Sequence, residues 1–249
     1  MVALPQMPMP DPTLEAADAA LVELSKREPR RRYLGMSAIG DACSRKLWYS
    51  YHTDRREVFT PQTLKRFADG HACEEVMANR LRMVRGVTLM TVDPATGKQW
   101  ELTDWAGNFA GHMDGIITGL LQAPKAPHVW EGKAVNEKSF GHFKMLKLKL
   151  GEKATLAQWQ AVYFAQAQAY MGYSGIKRHF LTVCTPGVRD WDSVRTEFDP
   201  EAFEAIKDKA RRILDAKVPL ARISNKPDWW QCGWCHHKTE CHNLEDQTA

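Results

Sequence analysis

The chain has no long apolar segment, no marked excess of one charge and no dense array of cysteines. In its 249 residues no hydrophobic run approaches the roughly 20 residues of a membrane-spanning helix. Lys and Arg number 34 against 30 Asp and Glu, a net charge of +4, so charge alone identifies no partner. The first residues, MVALPQMPMPDP, lack the basic and apolar regions of a secretory signal. We therefore expect a cytoplasmic protein that does not associate with membranes.

The composition is that of an ordinary folded protein, with 44% hydrophobic and 26% charged residues. This excludes a disordered chain, a collagen-like fibre and a disulfide-dense miniprotein. The sequence contains no internal repeat and no G-x-x-x-x-G-K-[ST] motif. Any unwinding of nucleic acid would therefore need a partner protein.

Four segments follow from the pattern of apolar and turn-forming residues. We predict a disordered tail at 1–12, an N-terminal helical segment at 13–59, an α/β core at 60–200, and a C-terminal helix with a Cys-rich loop at 201–249.

Helices are predicted where apolar residues recur at three- and four-residue spacing. These cover Thr13 to about Glu28, a short helix capped by Ser37, a long helix from Pro61 to about Arg85, Thr155 to Met171, and Glu201 to Lys217. The segment SFGHFKMLKLKLGEK is a basic helix or a loop, and the Cys-rich end is loop-like.

Strands are predicted where the period changes to two after Gly86. GVTLMTV and KQWELTD flank the turn DPATG and indicate a hairpin. The further strand candidates are NFAGHMDGIIT, HVWEGKAV, KRHFLTVCT and SVRTEFD.

Two carboxylates and a lysine on neighbouring predicted strands are the most informative feature. Residues two apart on a strand share a face, so Glu131 and Lys133 project together, and Asp114 lies opposite if the two strands pair. Two carboxylates can hold Mg²⁺ or Mn²⁺, which polarises a phosphodiester and lowers the pKa of a bound water. The lysine can orient or deprotonate that water, and the Gly132 carbonyl could add a metal ligand. The pattern D…ExK by itself also occurs on solvated strands, but here the second strand is otherwise apolar.

Four short motifs occur in a fixed order: GHACEE, GHMDG, EGK and QAQAYM. Together they resemble the PD-(D/E)XK nuclease superfamily, and within it the RecB-like branch with the CRISPR-associated and bacteriophage exonucleases. In that branch a helical Gly-x-x-x-Glu element precedes the Asp strand, which Gly70 to Glu74 fits. A Gln-x-x-x-Tyr helix follows the ExK strand, which Gln166 to Tyr170 fits.

The resemblance implies a restriction-endonuclease-like α/β core with a mixed central sheet flanked by helices. It implies a catalytic set of Asp114, Glu131, Lys133, Gln166 and Tyr170, and a metal bound by Glu74, Asp114, Glu131 and Gly132. Many relatives have a histidine where Glu74 falls, so Glu74, Glu75 or His71 could face the metal. The place of Glu74 in the apolar stripe of its helix favours Glu74. Taken singly, these residues also fit a salt-bridged helix face and a buried polar pair.

Six cysteines are present, and three of them lie close together in Cys232-x2-Cys235-x5-Cys241. Clustered cysteines in a cytoplasmic chain indicate metal, and a fourth ligand is needed, for which Cys43 is the candidate. The arrangement resembles the iron–sulfur staple of RecB-like nucleases and implies a [4Fe–4S] cluster in a subdomain that joins the two ends of the chain. A structural zinc ion with a nearby histidine is the alternative. Cys73 and Cys184 lie on regular elements and are expected to be buried.

Basic residues around the predicted core are candidate phosphate contacts, although most charge runs are solvated faces. The candidates are Arg45, Lys144 and Lys147.

These patterns predict a divalent-metal-dependent DNA exonuclease, with or without endonuclease activity, that acts on single strands or duplex ends. Recombination, repair and CRISPR adaptation are the processes implied, with a recombinase, a helicase or an integrase as partner. The oligomeric state is left open. Two alternatives remain: a non-catalytic, zinc-stapled DNA-binding module, and a structure- or site-specific endonuclease.

Overall fold

A computed structural model of the chain describes residues 11–243. The expected disordered tail therefore lies outside the described residues, except for Asp11 and Pro12, which cap and begin the first helix. The α-helices in this range are α1 (Pro12–Arg27), α2 (Ser44–His52), α3 (Pro61–Arg82), α4 (Glu137–Leu150), α5 (Glu152–Trp159), α6 (Ala161–Ser174), α7 (Pro200–Asp215), α8 (Trp230–Gly233) and α9 (Lys238–His242). The strands are β1 (Leu34–Gly35), β2 (Thr88–Met90), β3 (Trp100–Asp104), β4 (Phe109–Met113), β5 (Gly115–Thr118), β6 (His128–Ala134), β7 (Arg178–Cys184) and β8 (Trp191–Glu197).

The strands form a five-stranded and a three-stranded sheet. The larger sheet has the order β2-β5-β6-β7-β8, and the smaller has β1-β4-β3. In the larger sheet β6 and β7 are parallel and the other neighbours are antiparallel, so the sheet is mixed. The predicted α/β class with a mixed sheet flanked by helices is confirmed.

Helices cover the two faces of the larger sheet because its central strands are apolar on both sides. Along β6, Val129 belongs to the core beneath α4 to α6, whereas the next residue, Trp130, belongs to the core beneath α3. Both side chains are fully buried. Glu131 shares the α6 side with Val129, and Gly132 shares the α3 side with Trp130. The end of β6 is thus reached by residues from both helical layers.

The predicted hairpin around DPATG is wrong in its pairing. The turn exists, since the Asp93 N–H donates to the Lys98 carbonyl at 2.7 Å. However, β2 pairs with β5 and β3 pairs with β4, so the two strands enter different sheets. Leu89 of β2 is buried with Ile117 of β5 in the core beneath α3. Burial against a distant strand therefore outweighs pairing across the local turn.

Four further elements differ from the predictions. The helix expected from Ser37 is a 3₁₀ turn there, and α2 begins only after Cys43. The helix expected from Thr155 to Met171 is two helices, which meet at the extended backbone of Gln160 (φ −147°). The segment NFAGHMDGIIT is two strands that separate at Asp114, and the Cys-rich end forms the short helices α8 and α9. The segment SFGHFKMLKLKLGEK, for which a helix and a loop were both possible, forms most of the helix α4.

The apolar stripe predicted for α3 is only partly buried. Ala78 and Leu81 are buried, but Phe67 is 47% exposed. Cys73 and Met77 complete the buried face, and the burial predicted for Cys73 and Cys184 is confirmed. Within residues 11–243, no helix is both long enough and apolar enough to cross a membrane.

Gly111 of β4 is predicted to be required for packing. An added Cβ would lie 2.7 Å from Cε1 of Tyr170 and 2.9 Å from Cβ of Met36, so Gly111→Ala should lower the free energy of unfolding by about 1–3 kcal/mol. The matched control is Gly141→Ala in α4, where an added Cβ meets nothing within 4 Å. There the change should stabilise the protein by roughly 0.5–1 kcal/mol. Urea denaturation measures both, and equal effects at the two positions would contradict the packing.

Candidate active site

Strand β6 and the break between β4 and β5 bring the acidic pair together. Gly115 pairs with Trp130 and Ile116 pairs with Val129, which puts Asp114 next to Glu131 at the point where the two sheets diverge. Oδ2 of Asp114 accepts a hydrogen bond from the Gly132 N–H at 3.1 Å. Asp114 is therefore held by the backbone of the strand that carries the other candidate residues.

Glu131 is the most buried carboxylate of the site, with 2% of its surface exposed. Its Oε1 accepts hydrogen bonds from Nζ of Lys133 and from Nε2 of Gln166, the latter at 2.7 Å. The same Gln166 nitrogen lies 3.3 Å from the Tyr170 hydroxyl, which is buried with it on α6. Nζ of Lys133 also lies 5.5 Å from the ring centroid of Tyr163. Two residues of α6 thus fix the carboxylate, and a third faces the lysine.

Helix α3 approaches β6 closely because Gly132 has no side chain. A Cβ at this position would lie 3.0 Å from Cε of Met77 and 3.3 Å from Cγ of Glu74. Both distances are shorter than ordinary van der Waals contact between carbon atoms. A glycine between Glu131 and Lys133 therefore lets Glu74 reach the edge of the acidic pair from the opposite face of the sheet.

The carboxyl groups at the site lie under electrostatic strain. Burial, followed by the charge of Asp114, raises the pKa of Glu131 to about 8 against the opposing effect of Lys133. Burial, followed by the charge of Asp114, raises the pKa of Glu74 to about 7. Burial by itself would lower the pKa of Lys133, but Glu131 and Asp114 reverse this and hold its pKa above the ordinary value. Asp114 therefore raises the pKa of both glutamates, and Lys133 acts in the opposite direction.

One open cavity of about 610 Å³ brings the candidate residues together. It is lined by Glu74, Asp114, Glu131, Gly132, Lys133, Tyr163, Gln166 and Tyr170. His71 lies on its wall with Glu74, whereas Glu75 is not among the lining residues. The cavity also contains residues that the sequence analysis did not assign to it: Arg31, Tyr33, Ser37, Arg66, His112 and Tyr163. In the sequence, the run of basic residues from Arg30 to Arg32 is a signal for such cavity residues. Its position near β6, however, depends on the pairing of β1 with β4.

The predicted DNA-contact residues lie away from this cavity. Lys147 pairs with Asp192 at 2.5 Å, and Lys144 lies 3.7 Å from Asp190. Arg45 donates to the carbonyl of Leu220 at 2.8 Å and so ties α2 to the segment after α7. The structure does not bring these three residues to the acidic pair.

The donor set fits a hard divalent cation, which prefers oxygen ligands. Asp114, Glu131 and Glu74 present carboxylates to one cavity, and Oε2 of Glu131 is buried without a hydrogen-bond partner within residues 11–243. In the described part of the chain, however, no three His, Cys, Asp or Glu side chains converge as the ligands of one metal ion do. At this site Lys133, Gln166 and the Gly132 N–H occupy one oxygen of Glu131 and one of Asp114.

The four cysteines of the predicted staple line a second cavity, of about 220 Å³. Cys43 stands at the N-cap of α2, and Cys232, Cys235 and Cys241 come from α8, α9 and the turn between them. His237, also on the wall, has its Nε2 3.0 Å from Oγ of Ser50. Residues nearly 200 positions apart in the chain are therefore brought to one place.

The fold is of a class found among solved α/β exonucleases. The crystal structure of an alkaline exonuclease, LHK-Exo, from Laribacter hongkongensis aligns with a TM-score of 0.50 and 16% identity over 79% of this chain and 90% of that one. The same enzyme in complex with dAMP aligns at 0.50 and 17% over 80% and 90%. The crystal structure of SSO0001 aligns at 0.51 and 12% over 92% and 95%. Neither the known protein families nor the curated proteins provide a significant match. These likenesses establish the fold.

The raised pKa of Glu74 predicts a stability that depends on pH in the absence of metal. The unfolded chain loses the Glu74 proton near pH 4.5, whereas the folded protein keeps it until about pH 7. The folded state is therefore penalised increasingly as the pH rises across this window. In chelator, Glu74→Gln should raise the melting temperature relative to wild type by a few degrees at about pH 8 and by less at about pH 5.5.

The matched control is Glu75→Gln, which removes the neighbouring carboxylate outside the cavity. Its melting temperature relative to wild type should not change between the two pH values. A Glu74→Gln difference that is the same at both would contradict the electrostatic strain at the site.

Proposed function

We propose that the chain is a divalent-cation-dependent DNA exonuclease that hydrolyses phosphodiester bonds at single strands or duplex ends. The observation that carries the proposal is the convergence of Asp114, Glu131 and Lys133 at one cavity, where a buried oxygen of Glu131 has no hydrogen-bond partner among residues 11–243. The solved neighbours support it, since LHK-Exo is described as an exonuclease and has been solved with dAMP.

Asp114 and Glu131 would hold the cation, with Glu74 beside them and the Gly132 carbonyl as a further oxygen ligand. When bound, Mg²⁺ or Mn²⁺ would neutralise phosphate charge and lower the pKa of a water molecule. Burial and the nearby charge of Asp114 raise the pKa of Glu74 and Glu131, and a bound cation would lower both by favouring the ionised carboxylates. The same groups would thus bind the cation and account for the raised pKa values in its absence.

Lys133 would act as a fixed positive charge. Its pKa lies above the ordinary value because two carboxylates face it, so it is an ammonium group at neutral pH. This favours a role in orienting the nucleophilic water and offsetting charge on the phosphate over a role as a base. Gln166 holds Oε1 of Glu131, and Tyr170 lies against Gln166, so these two residues are positioning residues.

A [4Fe–4S] cluster bound by Cys43, Cys232, Cys235 and Cys241 is proposed for the second cavity. The four thiols line this cavity together, which supports one metal site shared by the two ends of the chain. A structural zinc ion bound by the same cysteines and a nearby histidine is the alternative. In either case the role of the metal would be to join α2 to the Cys-rich loop.

Asp114→Asn and Lys133→Met should each lower nucleotide release by at least about 100-fold without loss of folding, because each removes charge at the reacting phosphate. The assay uses end-labelled single-stranded and duplex DNA with Mg²⁺, with Mn²⁺ and with chelator. Lys149→Met, on the exposed surface of α4, is the matched control and should retain full activity. Activity that persists in chelator, or in Asp114→Asn, would refute the metal-dependent mechanism.

Cys43→Ser should remove most of the iron from anaerobically purified protein and lower its melting temperature, because metal binding contributes directly to folding. Iron analysis and visible absorption measure the first effect, and thermal denaturation the second. Cys73→Ser is the control and should leave the iron content unchanged, since Cys73 lies on the buried face of α3. If the wild-type protein is colourless and contains stoichiometric zinc, the cluster is refuted and the zinc alternative is correct.

A further inference from the structure

The active-site cavity is the first of three cavities with shared walls. Arg31 and Tyr33 line both this cavity and a neighbouring groove of about 560 Å³, which we call the basic groove. Asp41 and Lys46 line both the basic groove and the cysteine cavity. Each of the three cavities therefore adjoins the next through shared residues, from the acidic pair to the Cys-rich loop.

The basic groove has a positive surplus that suits a phosphate backbone. Five Lys or Arg residues line it against three Asp or Glu: Arg30, Arg31, Lys46, Arg55 and Arg56 against Glu28, Asp41 and Glu57.

Most of these cations are held in place by protein partners, as Arg30 is by Asp54 and Lys46 by Asp41, at 2.5 and 2.8 Å. Arg31 forms no ion pair within the described range, and its guanidinium lies 5.2 Å from the centroid of the Tyr33 ring. Arg31 is thus available to a phosphate where the two cavities meet.

The far end of the path carries exposed aromatic side chains. Trp230 is 64% exposed and Trp234 is 91% exposed, and both stand on the wall of the cysteine cavity. Large aromatic groups in such exposed positions are typical of binding surfaces. Lys238 and Arg222 line the same cavity, so the aromatic rings are interleaved with positive charge. Flat rings flanked by cations favour nucleic acid over an apolar protein partner.

We propose that an unpaired DNA strand runs from the active-site cavity past Arg31 and Tyr33, along the basic groove, to bases stacked on Trp230 and Trp234. The inference rests on the proposed nuclease function and assigns its substrate class as single-stranded DNA. The faces of the bases must be free to stack on a side chain, which a duplex does not allow. The C-terminal loop then has a direct role in holding the substrate.

Fluorescence anisotropy with labelled oligothymidylates tests this path. Their lengths are about 4 to 16 nucleotides, the site sizes known for single-strand-binding folds. The measurement is made in chelator, so that the oligonucleotides stay intact. Affinity of the wild type should rise with length and exceed its affinity for blunt duplex. Trp230→Ala with Trp234→Ala should weaken binding by an amount that grows with length, to about tenfold for each stacked base. Trp230→Phe with Trp234→Phe should restore most of the loss, because the aromatic faces remain.

Trp229→Ala is the matched control, since Trp229 is also exposed in this loop but lines none of the three cavities. It should bind every length as the wild type does. Arg31→Ala should reduce the slope of log affinity against log salt concentration by roughly the amount of one phosphate contact. Arg32 lines none of the three cavities, so Arg32→Ala should leave this slope unchanged.

Equal affinity of the tryptophan double variant and the wild type at all lengths would overturn the proposal and leave the rings to a protein partner. Tighter binding to duplex than to single strands would also overturn it. Nucleotide release is measured on the same proteins, so the two failures are distinct. A protein that binds as described but never cuts refutes the nuclease alone, and one that cuts without dependence on Trp230 and Trp234 refutes the path alone.

Discussion

A carboxylate buried within the central strand is the constraint on which the rest of the structure depends. Glu131 lies in an otherwise apolar strand, where an uncompensated charge would be strongly destabilising. Lys133 and Gln166 satisfy one of its oxygens, and the other is left without a partner within residues 11–243. Glu131 is accommodated by Lys133 on the same face of the strand and by the Gln166 amide from α6. Gly132 beside it allows α3 to pack closely against the strand. The local geometry of three elements follows from the burial of one group.

The separation of the two sheets places the second carboxylate. Only Asp114 separates β4 from β5, and the two strands diverge there. Asp114 belongs to neither strand, and its Oδ2 accepts a hydrogen bond from the Gly132 N–H. The backbone thus holds Asp114 without the use of another charge. Burial, together with the nearby charge of Asp114, raises the pKa values of Glu74 and Glu131, and these shifts connect the stability of the protein to what occupies the cavity.

The C-terminal loop is attached to the N-terminal region by polar contacts as well as by the shared cysteine cavity. Nε1 of Trp48 donates to the carbonyl of Ala216 at 2.8 Å, and Oγ of Ser50 lies 3.0 Å from Nε2 of His237. These contacts place the loop beside the basic groove, so the residues that join the ends of the chain are also near the proposed path of the strand. A structural element and a substrate surface can therefore share the same few residues.

The sequence by itself determined the features that depend on short-range pattern. The alternation of β6 put Glu131 and Lys133 on one face, and the Thr60 cap followed by Pro61 marked the start of α3. Tertiary structure alone decided which strands pair, because β2 gains more from burial against β5 than from its adjacent turn. It also decided that Arg31 lines the acidic cavity, since that position comes from the pairing of a two-residue strand with β4, a contact that no local periodicity encodes.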